Sequence, residues 1–389
     1  MIYLDHNATS PLRAEAKEAV ERALGIGGNA SSVHGRGRAA RAVIEHARAQ
    51  VTALAGARVE AVIFTSGGSE ANALALWGAI HGAAGDGARI TRLFVSAIEH
   101  ESVLANAATL ADRVAGLRLE TIPVTGDGVV DIEALRAMLR EGKGRALVAL
   151  MAANNETGVV QPIAEVTELA RDSGALLFVD CVQFAGRIAV PPADYVSLSA
   201  HKIGGPQGVG ALILRKDAPF AAQVLGGGQE QGRRAGTENL SGIAGFGAAS
   251  EIAAGELPAA KRMAMLRDRF EDGLRRAAPD AVILGARAPR LANTSNFALP
   301  GLAAETALMA LDLDGVMLSS GAACSSGKVK PSHVLSAMGV GEELSRCALR
   351  ASFGWNSADA DVDTALSSIS RLLARVHGRV QPGHPRVAA

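Results

Sequence analysis

Leu176-Leu177-Phe178-Val179-Asp180 and, beyond it, Tyr195-Val196-Ser197-Leu198-Ser199-Ala200-His201-Lys202 decide the fold. Each is a short run of strand-forming residues with little charge, the pattern of a strand buried in a mainly parallel sheet. A carboxylate closes the first strand and a lysine stands just past the second. Pyridoxal phosphate needs those two anchors: an amine that is neutral part of the time, to condense with the aldehyde, and an acid to keep the ring nitrogen protonated. Lys202 supplies the first and Asp180 the second. Only seven of the 39 lysines and arginines are lysine, so one flanked by His201, Ile203, Gly204 and Gly205 is weighed against the plainer reading, a solvated lysine at a strand end.

Outward from this pair, apolar runs alternate with longer amphipathic ones, which predicts an α/β domain with a mainly parallel sheet of seven strands. The strands are expected at 62–66, 93–97, 117–124, 146–151, 176–181, 195–199 and 209–214. Helices are expected between them at 69–81, 102–115, 132–140 and 163–173. The glycine-rich stretch from Gly226 to Gly236 breaks the rhythm, and a Gly/Ala-rich helix-like run follows from Leu240 to Gly255. A domain boundary is expected near Leu257-Pro258. Beyond it come a charged helix at 259–278, strands at 294–297 and 316–318, and a last helix at 360–376 in a smaller α+β region. The tail 381–389, with Pro382 and Pro385, reads as disordered.

Acidic and basic residues balance at 39 each, so no net field favours nucleic acid or an anionic membrane. No basic leader precedes an apolar run, and nowhere do 18 apolar residues pass without a charge or a glycine cluster, which predicts a cytoplasmic protein. Three cysteines, Cys181, Cys324 and Cys347, are an odd set for disulfides and form no Cys-x-x-Cys pair. The nine histidines show no metal-ligand spacing.

Thr65-Ser66-Gly67-Gly68-Ser69-Glu70 lies where the first strand turns into a helix, a geometry that holds phosphate on free N–H groups and the helix dipole. A plain turn with Ser69 as N-cap explains it as well. Ser199 and His201 can reach the same anion from beside Lys202. His100, at the mouth of the second strand, either stacks on a pyridine ring and passes protons or caps the following helix. Asn155 and Gln183 could donate to the cofactor's phenolic oxygen or satisfy loop backbone.

Together Tyr3-Leu-Asp-His-Asn-Ala-Thr-Ser-Pro11, Phe64-Thr-Ser-Gly-Gly-Ser-Glu70, Glu99-His100, Asn154-Asn-Glu156, Val179-Asp180, Gln183, His201-Lys202, Arg234-Ala-Gly-Thr237 and Ser319-Ser-Gly-Ala-Ala-Cys-Ser325 resemble the cysteine desulfurases of the NifS/IscS type. The matches keep the family's order and spacing from Tyr3 to Gly354. The resemblance implies a fold-type-I pyridoxal-phosphate enzyme, a homodimer that turns L-cysteine into L-alanine and passes sulfur, held as a persulfide on Cys324, to an acceptor protein for iron-sulfur assembly or thiolation. It implies that Lys202 carries the cofactor, Asp180 partners its ring nitrogen and His100 stacks on the ring. It also implies that Gly68, Ser69, Ser199 and His201 cradle the phosphate, with Thr237 arriving from the partner subunit. The implied organisation is an N-terminal segment (1–15) packed on a small domain (258–380), with a large domain at 16–257.

Cys324 sits in a small, polar loop hinged by Gly321 and Gly327, where Lys328 and Lys330 would lower its pKa toward a reactive thiolate; the alternative is an inert loop cysteine. Cys347 reads as core, within a helix-like stretch at 344–349. Arg350 presents a guanidinium fork suited to the substrate carboxylate, or else it pairs with a local acid. Asn29 is expected at the same mouth. Three departures from the family pattern stand out: Cys181 after Asp180, read as packing or as an oxidisable thiol; Ala30 for a proline; and Trp355-Asn356 for an arginine-aromatic pair, expected at the pocket rim. A selenocysteine lyase, another lyase or aminotransferase of the same fold, a catalytically idle docking platform and a cofactor store are the competing readings.

Overall fold

The computed structural model describes residues 1–83, 89–256, 260–321 and 332–378. Seven strands form one sheet in the order Val62–Thr65, Gly210–Leu214, Tyr195–Ser199, Leu176–Asp180, Arg145–Met151, Ile90–Ser96, Arg118–Ile122. Five run parallel, and Gly210–Leu214 alone is antiparallel to both of its neighbours. Both faces are apolar because helices cover both: Val148 and Leu150 pack into one core, Leu147 and Ala149 into the other, with the period of two that a pleated strand imposes.

This topology positions the site. Ser96, Met151, Asp180 and Ser199 end parallel strands, so they open at one edge of the sheet, and Thr65 ends there too because two antiparallel pairings restore its direction. Ligands of open α/β sheets bind outside those carboxyl ends.

A second, antiparallel sheet runs Ser319–Ser320, Ala348–Ser352, Thr294–Ala298, Val282–Leu284. Helices Ala260–Ala277, Ala304–Leu313 and Asp359–Gly378 contribute to the core beside it. Ile2–Tyr3 pairs in parallel with Val316–Met317, Asp5 bridges to Ser352, and Leu4 is buried in that same core.

The helix-like stretch at 344–349 is corrected: a single turn at Glu342–Ser345 gives way to strand Ala348–Ser352, because pairing with Thr294–Ala298 on one side and Ser319–Ser320 on the other outweighs local propensity. Helices Ala14–Leu24 and Gly35–Ala55 were not anticipated. The second begins Gly-Arg-Gly-Arg, which reads as loop, yet a Cβ on Gly37 would lie 2.1 Å from the Ser32 carbonyl, so glycine is a packing requirement there. The expected boundary at Leu257-Pro258 and the tail 381–389 lie outside the described residues.

Candidate active site

Asp180 is 5% exposed and fixed by two donors: the Asn72 side-chain amide to Oδ2 at 2.8 Å and the Val182 N–H to Oδ1 at 2.9 Å. Two donors from different elements fix the orientation of this buried carboxylate. Lys202 stands across the same cavity and donates from Nζ to the carbonyls of Asn7 (2.6 Å) and Ala8 (2.8 Å). Its pKa falls to about 7, first through lost hydration and then through the positive charges of Arg350 and Arg187. Near neutrality about half of the amine is therefore unprotonated, the form that attacks an aldehyde.

The helix Gly68–Gly82 starts at this cavity, and its first turn leaves N–H groups without intrahelical partners. A Cβ on Gly68 would meet Val182 Cγ2 at 2.8 Å, so the close backbone approach needs glycine. Gly67, not Ser69, is the N-cap. Ser69, Ser199 and His201 line the same space. Burial, then the charge of Lys202, lowers His201 to about 4, so near pH 7 its ring is neutral, with Nδ1 3.1 Å from Thr9 Oγ1.

His100 stands at the edge of the same space. It lines the cavity, and Nδ1 accepts the Ser102 N–H at 3.1 Å, capping helix Glu101–Arg113. That bond leaves the proton of the neutral ring on Nε2. His100 is open to the cavity, yet the surrounding protein lowers its pKa; Asp180 opposes the shift and Lys202 adds to it. Behind it Glu99 is wholly buried: Oε1 accepts the Met151 N–H at 2.6 Å, and Oε2 has no partner among the described residues. Burial, and then the Asp180 charge, push this carboxyl well above the usual range.

Arg350 reaches the cavity from the small sheet, donating to the Asn155 carbonyl at 2.9 Å and to Asp5 Oδ1 at 2.6 Å. The whole cavity holds about 430 Å³.

The family profile for Aminotransferase class-V matches residues 2–365. The chain is 44% identical to a cysteine desulfurase of Cereibacter sphaeroides, over 96% of this chain and 95% of that one. It belongs to the cysteine desulfurase family. An IscS-like cysteine desulfurase of Mycobacterium tuberculosis is 38% identical over 96% of this chain and 97% of its own. Among solved structures, a NifS-like protein from Rickettsia africae superposes with a TM-score of 0.86 at 32% identity, covering 96% of this chain and 99% of that one. The cofactor of cysteine desulfurases is pyridoxal 5′-phosphate, and the donor set fits it: a fixed carboxylate, a near-neutral lysine and a glycine-lined helix start converge on one space.

The other candidate residues are spread over several places. Gln183 lines the cavity, its amide nitrogen donating to the Asn7 carbonyl at 2.8 Å and its oxygen accepting from Arg187 at 2.9 Å. Asn155 lines the cavity too. Asn29 does not: it is exposed, its Oδ1 accepting the Ser31 N–H at 2.8 Å. Thr237 lines a separate cavity of about 110 Å³ with Glu230 and Arg234. Cys324, Lys328 and Lys330 lie outside the described residues. Cys181 is fully buried in the core, with its thiol pushed up by burial and the Asp180 charge, and Cys347 is buried as expected. Trp355 lines a cavity of about 80 Å³ with His6, Arg13 and Arg187, its indole N–H bonded to the Pro11 carbonyl. Lys202 borders both cavities.

Asn72, Ser102, Asp5 and Arg187 were not anticipated. Asn72 left one signal, a lone amide in the apolar helix run Ala-Asn-Ala-Leu-Ala-Leu. The others carry no local mark.

Proposed function

We propose that this chain converts L-cysteine to L-alanine and that Cys324 receives the sulfur as a persulfide for an acceptor protein. The observation that carries the reading is the convergence of Lys202, Asp180 and Arg350 on one cavity. Gly68, Ser69, Ser199 and His201 hold the cofactor phosphate, Asp180 the ring nitrogen, and Asn155 the phenolic oxygen. When bound, pyridoxal phosphate acts as an electron sink for charge released at the substrate Cα. Arg350 takes the substrate carboxylate. Lys202, poised near neutrality, removes the Cα proton, and His100 faces the ring with its proton on Nε2, available to the departing group. Cys324 bonds to the substrate sulfur as the carbon–sulfur bond breaks.

The same reading makes the enzyme a cytoplasmic homodimer that serves iron-sulfur assembly or thiolation. What supports the dimer is Thr237, which lines a cavity other than that of Lys202 in its own chain; Asn29 is placed at the mouth by the same association. Among the described residues no helix is long and apolar enough to cross a membrane. The pairing of Ile2–Tyr3 with Val316–Met317 supports an N-terminal segment (1–15) that packs on a small domain (258–380) beside a large one (16–257).

The test is alanine and sulfide release from L-cysteine by the purified protein. Cys324→Ser should keep the visible absorbance of the bound cofactor and lose the persulfide. Turnover of selenocysteine alone, or a colourless protein that takes up no pyridoxal phosphate, overturns the proposal.

A further inference from the structure

Arg350 is buried, and two of its three nitrogens are spent inside the chain, on the Asn155 carbonyl and on Asp5. Its Nε is buried without a partner among the described residues. A guanidinium held at two corners has one orientation, and the unspent Nε–H is a dry donor awaiting an acceptor.

Asp5 is itself held on both sides. Leu4 donates to the Met317 carbonyl at 2.9 Å, His6 to Ser352 at 3.2 Å, and Ser352 returns a bond to Leu4 at 2.7 Å. The Asp5–Ser352 bridge places it two residues from Arg350 along the same strand. Arg350 lines the 430 Å³ cavity and Asp5 does not, so the carboxylate supports the arginine from outside the cavity lining.

We propose that Asp5 is a positioning residue, which fixes the Arg350 guanidinium in the orientation that meets the substrate α-carboxylate. The inference rests on Arg350 taking that carboxylate. The competing arrangement makes Asp5 a stand-in that substrate must displace. A pinned backbone and a place outside the lining oppose it, and the two predict opposite changes in KM. Asp5 has a second effect: Arg350 lowers the pKa of Lys202, and Asp5 raises it.

The experiment uses the cofactor-loaded enzyme with L-cysteine. Asp5→Asn should raise KM about tenfold while kcat changes less than about threefold. It should also move the acid limb of kcat to lower pH, because the Lys202 amine freed by substrate loses a carboxylate that favours its charged form. Asp5→Glu keeps the charge but displaces the fork by one methylene, so KM should rise with the acid limb unmoved. An unchanged or lowered KM in either variant overturns the inference. Arg350→Lys separates the two layers: if it leaves KM unchanged, the carboxylate-binding role of Arg350 fails, whereas a raised KM there with an unchanged one in the Asp5 variants sinks the positioning role alone.

Discussion

The Asn72 side-chain amide donates to Asp180 Oδ2 at 2.8 Å and to Ser102 Oγ at 2.9 Å, joining helix Gly68–Gly82 to the carboxylate at the strand end and to the helix that His100 caps. Asn72→Ala removes one of the two donors that fix Asp180. A hydrogen bond to a charged group contributes about 1.5–3 kcal/mol, so cofactor affinity should drop at least about tenfold, read by titration of the apoprotein with pyridoxal phosphate. Unchanged affinity would show that Val182 alone suffices.

Arg187 donates from Nη1 to the Gln183 carbonyl at 2.6 Å and to Gln183 Oε1 at 2.9 Å. Its charge lowers the pKa of Lys202 and of His6. In Arg187→Met the Lys202 pKa should rise above about 7, leaving less neutral amine at pH 7. The acid limb of kcat should therefore move to higher pH, opposite to the shift expected of Asp5→Asn, and cofactor uptake by the apoprotein at pH 7 should slow. A limb that stays in place would remove Arg187 from the setting of the lysine.

Glu99 tests a linkage. Its folded pKa is raised, so its contribution to stability is fully present below the unfolded value, about 4.3, and is lost as pH rises through the folded value. Glu99→Gln keeps an acceptor for Met151 N–H and abolishes the titration. Its unfolding midpoint should exceed that of the parent by more at pH 8 than at pH 5. Equal differences at both values would mean the carboxyl is ionised in the fold.

Thiol accessibility tests the two described cysteines. Cys181 and Cys347 are buried, so in Cys324→Ser a thiol reagent should modify neither in the native protein and both after denaturation. Modification of Cys181 in the native protein would contradict its packing role.

The sheet was legible because buried parallel strands are apolar runs cut by turns: Tyr195–Ser199 and Ile163–Ser173 match their sequence boundaries, and the other strands of the sheet differ by one to three residues at either end. Strand Ala348–Ser352 was not, since a buried arginine among small residues resembles a helix face until Thr294–Ala298 pairs with it. Lys202 and Asp180 announced themselves through strand-end chemistry. Asp5 and Arg187 did not, because their partners lie far along the chain or act through charge alone; Asp5 meets Arg350 across 345 positions. The placement of Trp355 was hidden for a related reason: its indole meets the Pro11 carbonyl across 344 positions.

The backbone bonds between residues 4–6 and Ser352 also dictate when the pocket can exist. A ribosome delivers the first of these segments hundreds of residues before the second, so Asp5 must wait through nearly the whole of synthesis for the strand that anchors it. A chain released early would carry Lys202 without Arg350, and so lack one of the two cations that the finished fold brings to a single cavity.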